Sequence, residues 1–205
     1  MATVYLEEID STNRYSKSNL DGLEDRTVVH ALRQNSGRGR LQRSWVDLGE
    51  GNLFLSFVLK PSKVYDEKFA NLTQYLSVVL CQLLESYGIL PQIKWPNDVL
   101  INGRKIAGIL SETVMQGNSF KGLVLGIGVN LNAVPESLNM VKDKPVTALN
   151  LEISKSVDLN DFRDKLVSMF FENYDKFLES GFNYIKDYYI CHANFLDQEV
   201  CVQVF

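Results

Sequence analysis

Apolar positions recur along this chain with two periods, and the switches between them mark out its elements. "TVYLEEI" (3–9) alternates loosely and predicts a short strand. Asp10, Ser11 and Thr12 then offer N-cap side chains, which predicts a helix over about residues 12–19. "TVVHALR" (27–33) is rich in β-branched residues and predicts a second strand. "NLFLSFVLK" (52–60) is apolar on both faces, as a central strand covered from both sides would be, and Pro61 stops it. From Asp66 to Tyr87, Phe69, Leu72, Leu76, Val79, Leu80 and Leu83 fall at helical spacing, with Gly88 placed to end the helix.

The second half alternates in the same way. "QIKW" predicts a short strand ended by Pro96. "DVLINGRKIAGILSETV" predicts a hairpin, because Asn102-Gly103 suits a type I′ turn. After a reversal at "GNS", "FKGLVLGIGVNLN" (120–132) predicts a third strand. Residues 133–157, with two prolines, predict a long linker. Asp158 is placed to cap a helix carrying Leu159, Phe162, Leu166, Met169, Phe170, Tyr174 and Phe177, closed by Gly181. "FNYIKDYYI" continues helically, and "EVCVQVF" predicts a final strand. Hairpins with helices inserted between them predict an α+β fold: a mixed β-sheet with helices packed mainly on one face. The expected division is a main domain over 1–195 and a terminal strand over 196–205.

Composition narrows the class. With 205 residues, 45% hydrophobic and 22% charged, the chain can bury a sizeable core without staples. The net charge of −4 argues against a general nucleic-acid binder. Three cysteines, none in a C-x-x-C, give no complete disulfide framework and predict a reducing, cytoplasmic setting. No secretory start opens the chain, and no run approaches a membrane span.

Three segments carry candidate chemistry. "QNSGRGRLQRSW" (34–45) sets Arg38, Arg40 and Arg43 among glycine and serine. Arginine forks bind phosphate or carboxylate, although composition alone fits a solvated basic loop equally well. In "KWPNDVLINGRKIAGIL" (94–110), the turn brings Lys105 back toward Asn97 and Asp98, and Gly108 leaves bare backbone against which a ligand can lie. In "GIGVNLN", Gly126 and Gly128 imply close approach by a backbone or ligand, and the Asn130 amide suits a flat polar ring. P-loop and Rossmann patterns are absent. His30 and His192 are isolated, so neither a zinc cluster nor a Ser-His-Asp set is supported.

"IDSTN" (9–13), "QNSGRGRLQRSW", "GNLFLSF" (51–57), "KWPNDVLINGRKIAGIL" and "GIGVNLN" occur in this order, and together they resemble the biotin–protein ligases (biotin–acetyl-CoA-carboxylase ligases). The resemblance implies a class II synthetase-like catalytic domain that uses biotin and Mg2+-ATP to make biotinyl-5′-AMP. Biotin then passes to a lysine of a biotin carboxyl carrier protein. It implies biotin contacts from Ser11, Thr12, Gln34, Gly37, Arg38, Arg40, Lys105 and Gly108. It implies ATP and adenylate contacts from Arg38, Arg40, Arg43, Trp45, Asn97, Asp98, Lys105 and Asn130, with Asp98 toward Mg2+, and Lys105 and Arg40 as catalytic groups. The arginine segment is then a lid that closes over the adenylate. "IDSTN" at residue 9 leaves no room for the DNA-binding domain of some relatives, so no direct DNA binding is expected. Residues 196–205 stand where an SH3-like domain would begin in others. A homodimer through a sheet edge stays open. The rivals are a lipoate or octanoate transfer enzyme, whose usual R-R-x-x-G-G-G segment is absent, and a non-catalytic binding module.

Overall fold

In a computed structural model, which describes residues 2–61 and 64–196, one seven-stranded sheet organises the chain. Its strands are β1 (Thr3–Ile9), β2 (Thr27–Gln34), β3 (Leu53–Leu59), β4 (Pro91–Lys94), β5 (Asp98–Ile101), β6 (Arg104–Gln116) and β7 (Ser119–Val129). They lie in the order β1-β2-β3-β7-β6-β5-β4. β1 and β2 are parallel, joined through helix α1 (Thr12–Ser18), and the remaining neighbours are antiparallel. The sheet is therefore mixed, as the pattern predicted.

Local chemistry explains the joints. Ser11 caps α1 by accepting from the Arg14 N–H. Asn102 and Gly103 both take positive φ, 50° and 74°, as a type I′ turn requires, and this turn sets the β5–β6 hairpin. β3 is buried at every position, confirming it as a central strand.

Helices α2 (Leu72–Glu85) and α4 (Leu159–Glu172) cover one face together with α5 (Tyr174–Ser180) and α6 (Lys186–His192). There Phe57 stacks on Phe170 at 4.2 Å, and Tyr75 stacks on Phe177 at 4.5 Å. Tyr75 donates its hydroxyl hydrogen to the Phe170 carbonyl at 2.6 Å. α1 lies against the other face with a smaller cluster of Leu20, Val29, Val58 and Val124.

Three expectations change. The helix predicted from Asp66 opens as a 3-10 turn (Glu67–Asn71), and α2 begins only at Leu72. The helix predicted from Asp158 breaks at Asn173, whose φ of −119° is not helical. Asparagine competes for its own backbone, so it is a weak point in a helix, and the break starts α5 at the buried Tyr174. The linker over 133–157 is also structured. It contains a 3-10 turn (Pro135–Met140) and α3 (Leu149–Ile153), and Val146 bridges to Lys105. The order comes from tertiary bonds that periodicity does not register: the Asn150 side chain exchanges two hydrogen bonds with the Ala133 backbone. The last predicted strand, "EVCVQVF", lies outside the described residues.

Candidate functional site

The sheet face that carries α1 opens into a cleft of about 690 Å³, within the size range of small-molecule pockets. Thirteen of the residues singled out in the sequence line it: Ser11, Thr12, Gln34, Arg38, Arg40, Arg43, Trp45, Asn97, Asp98, Lys105, Gly108, Gly126 and Gly128. Gly37 stands apart, in an outer groove behind the arginine loop, where its carbonyl accepts from the Trp45 N–H at 2.9 Å. Asn130 also stands apart. Its amide donates to the Thr147 carbonyl at 3.0 Å, and it lines a small pocket behind Trp45 and Lys105.

At one end of the cleft, the Lys105 ammonium is buried 2.5 Å from Asp98 Oδ1. The β5–β6 hairpin makes this pair by returning Lys105 beside β5, as the turn chemistry required. Burial pulls the Lys105 pKa below the usual lysine value, and the adjacent Asp98 carboxylate offsets part of that. Asn97 donates its amide hydrogen to the Ile109 carbonyl at 3.0 Å and so holds the start of β5 against β6.

Above Lys105 lies Trp45, with its indole 5.1 Å from the ammonium at the ring centroid. The ring rests on Gly108 and Gly128, which are register partners on β6 and β7. A Cβ on Gly128 would stand 2.5 Å from the indole, and one on Gly108 2.8 Å. The pair therefore forms a strip of sheet without side chains, wide enough for a flat ring.

The arginine segment folds over the cleft. Arg38 and Ser44 form an isolated antiparallel bridge, and a 3-10 turn (Arg40–Gln42) makes the tip. Arg38, Arg40 and Arg43 remain exposed around the opening.

The floor at the other end was only partly legible. The Thr12 N–H and hydroxyl both donate to Gln34 Oε1, at 2.7 and 3.1 Å. The Ser56 hydroxyl donates to Asn13 Oδ1 at 2.7 Å and lies 2.8 Å from Thr12 Oγ1. Asn13 in turn donates to Glu112 Oε2 at 3.0 Å. Sequence reasoning missed Asn13, Ser56 and Glu112. Two signals pointed to Ser56 and Asn13, and none to Glu112. Ser56 is a lone polar residue in a fully apolar strand, so it had to have a buried partner. Gly126 leaves room for that partner, since a Cβ there would sit 2.0 Å from Asn13 Oδ1. The close approach expected at Gly126 from a backbone or ligand is made instead by the Asn13 side chain.

Fold and cleft together define the class: a mixed-sheet domain whose cleft gathers a buried ammonium, three exposed arginines and two facing glycines beneath an indole. Comparison with known proteins agrees. The profile of the Biotin/lipoate A/B protein ligase family matches residues 5–130. The chain is 32% identical over 203 residues to the biotin--[acetyl-CoA-carboxylase] ligase of Paracoccus denitrificans, covering 95% of this chain and 82% of that one. It is 32% identical over 161 residues to the bifunctional ligase/repressor BirA of Bacillus subtilis, covering 78% of this chain and 49% of that protein. It therefore spans about half the length of that relative. The solved structure of a biotin protein ligase from Aquifex aeolicus with biotin and ATP superposes with a TM-score of 0.81 at 31% identity, over 97% of this chain and 81% of that one. The chain belongs to the biotin/lipoate A/B protein ligase family.

Proposed function

We propose that this chain is a biotin–protein ligase, which activates biotin with ATP and passes it to a lysine of a biotin carboxyl carrier protein. The observation that carries the reading is the Lys105–Asp98 pair at 2.5 Å, placed beneath Trp45 and facing the arginine loop in one cleft. The similarity to ligases named for biotin supports the choice of acid.

In the first step the biotin carboxylate oxygen attacks the α-phosphorus of ATP, the P–O bond to pyrophosphate breaks, and biotinyl-5′-AMP forms. Lys105, Arg38 and Arg40 neutralise charge gathering on the carboxylate and α-phosphate, and Arg43 meets the departing phosphates. Ser11, Thr12 and Gln34 hold the ring end of biotin, which reaches the backbone at Gly108 as the Trp45 ring resting there gives way. Trp45 shelters the adenine, and Asn130 supports that side from behind. In the second step the carrier amine attacks the acyl carbon, the C–N bond forms, and AMP leaves as the C–O bond breaks. Folding the loop over the cleft excludes water from an intermediate that hydrolyses readily.

Among the described residues no three His, Cys, Asp or Glu side chains gather to hold a metal. That fits a magnesium ion that arrives on ATP phosphates and takes one or two carboxylates from the protein. Asp98 would hold it, and Mg2+ would supply charge neutralisation on the phosphates. Among the described residues no helix is long and apolar enough to cross a membrane.

The test supplies the protein with Mg2+-ATP and either biotin, lipoate or octanoate, then measures pyrophosphate and acyl-AMP by mass spectrometry. Biotinyl-AMP is the expected product. Lipoyl-AMP or octanoyl-AMP without biotinyl-AMP would overturn the reading.

A further inference from the structure

Glu112 stands outside every motif considered so far, yet it joins the arginine loop to the cleft floor. It lies on β6, two and four residues beyond Leu110 and Gly108, and so on the same face of the sheet. Its Oε1 accepts from Lys17 Nζ at 2.8 Å and from Arg38 Nη1 at 3.3 Å. Its Oε2 accepts from Asn13 at 3.0 Å. Burial pushes the Glu112 carboxyl up, but the bonds from Lys17 and Asn13 and the nearby charges outweigh it and leave it below the usual carboxylate value.

Resting on the ligase reading above, the structure assigns Glu112 as the positioning residue for Arg38: it aims the guanidinium into the cleft before ligand arrives. Three observations support this. First, Lys17 and Asn13 already satisfy Glu112, so the contact to Arg38 is not needed to settle a half-buried acid. Second, the contact uses one nitrogen at 3.3 Å and leaves the rest of the fork free for an incoming carboxylate or phosphate. Third, two cations share one carboxylate, so the trio keeps a charge of +1 (Lys17 and Arg38 less Glu112) and still attracts an anion. The Arg38 backbone is held at its other side by the bridge to Ser44. Backbone and side chain are thus fixed from opposite directions, which lowers the ordering cost on binding.

Two measurements test the assignment. Calorimetry with biotin alone compares wild type, Glu112→Gln, Arg38→Ala and the double variant. Glu112→Gln is expected to raise the biotin Kd about fivefold to tenfold, and to change it less than about twofold when Arg38 is already alanine. A full effect in the Arg38→Ala background would overturn the proposal. Lys17→Arg serves as a control: it keeps the ion pair to Glu112 and the trio's charge of +1, so Kd should stay within about twofold, and a rise equal to that of Glu112→Gln would show a merely structural network. If Glu112→Gln fails to fold, Glu112→Asp takes its place and must still lose its effect beside Arg38→Ala. Amide hydrogen exchange on ligand-free protein is the second arm. Glu112→Gln should speed exchange at the Trp45 N–H, bonded to Gly37 O at 2.9 Å, and unchanged exchange would overturn the proposal. If wild type binds no biotin, the ligase reading falls and the exchange arm alone decides the role of Glu112.

Discussion

Gly126→Ala tests whether the cleft floor is held by the one side chain that fits against bare backbone. Gly126 lacks the positive φ that would strain alanine, so the whole effect arises from space. The new methyl would stand 2.0 Å from Asn13 Oδ1, 2.7 Å from its Cγ and 3.0 Å from Nδ2. Asn13 must then move by about 1 Å or more to reach ordinary contact. That displacement breaks the Ser56 hydroxyl bond at 2.7 Å and weakens the bonds to the Leu110 carbonyl at 3.2 Å and Glu112 at 3.0 Å. Each carries about 0.5–1.5 kcal/mol net, and the buried Ser56 and Asn13 lose more if left unpaired. Stiffening the unfolded chain returns about 0.4–1 kcal/mol. The balance is a destabilisation of roughly 2–4 kcal/mol, or a Tm lower by roughly 4–16 °C for a chain of this size. Scanning calorimetry measures it directly. Asn13→Ala removes the obstacle, so the double variant should melt close to Asn13→Ala alone. A Gly126→Ala shift below about 2 °C, or simple additivity, would refute the reasoning.

Lys105→Met keeps the buried stem and removes the ammonium, so it should lower adenylate formation by about 10²–10³-fold. Burial already weighs against the charge, so Tm should move by only a few degrees; equal losses of activity and Tm would place Lys105 in the scaffold instead. Burial holds the His30 imidazole down to about 4, so the native state stays neutral where the unfolded chain, near 6.5, takes up a proton. Stability should therefore climb as pH rises from about 4 to about 6.5. His30→Phe, which keeps the edge contact with Tyr5, should flatten that climb in Tm measured against pH, and an unchanged slope would exclude His30 as a source.

Where function and turn chemistry coincide, the sequence was informative. Lys105 and Asp98 could be paired on paper because Asn102-Gly103 admits only a tight reversal with positive φ at both residues. The arginine loop could be assigned to the cleft only through the family resemblance, because three cations without apolar spacing fit a solvated basic loop equally well. Asn13 was harder, since its partner Gly126 is 113 positions away and only β7 beside β3 brings Ser56 and Gly126 into register. Glu112 was invisible for the same reason: its three partners come from α1 and the loop, joined by tertiary packing. The order in 133–157 likewise depends on contacts that no local period encodes, while the break at Asn173 is a local weak point that the spacing of apolar residues does not register.

The indole seated on Gly108 and Gly128 makes the molecule its own optical probe. The chain holds two tryptophans. Trp95 is 60% exposed, so its emission already reports water. Trp45 is packed on the sheet, its Nε1–H buried with no hydrogen-bond partner among the described residues and a cation 5.1 Å from its ring. Any flat ligand that takes the glycine strip must first evict that ring, or slide beneath it, and either change alters the polarity and field at the indole. Occupancy of the cleft is thus written into the intrinsic fluorescence of one residue, readable without a label and separable from Trp95 by Trp95→Phe.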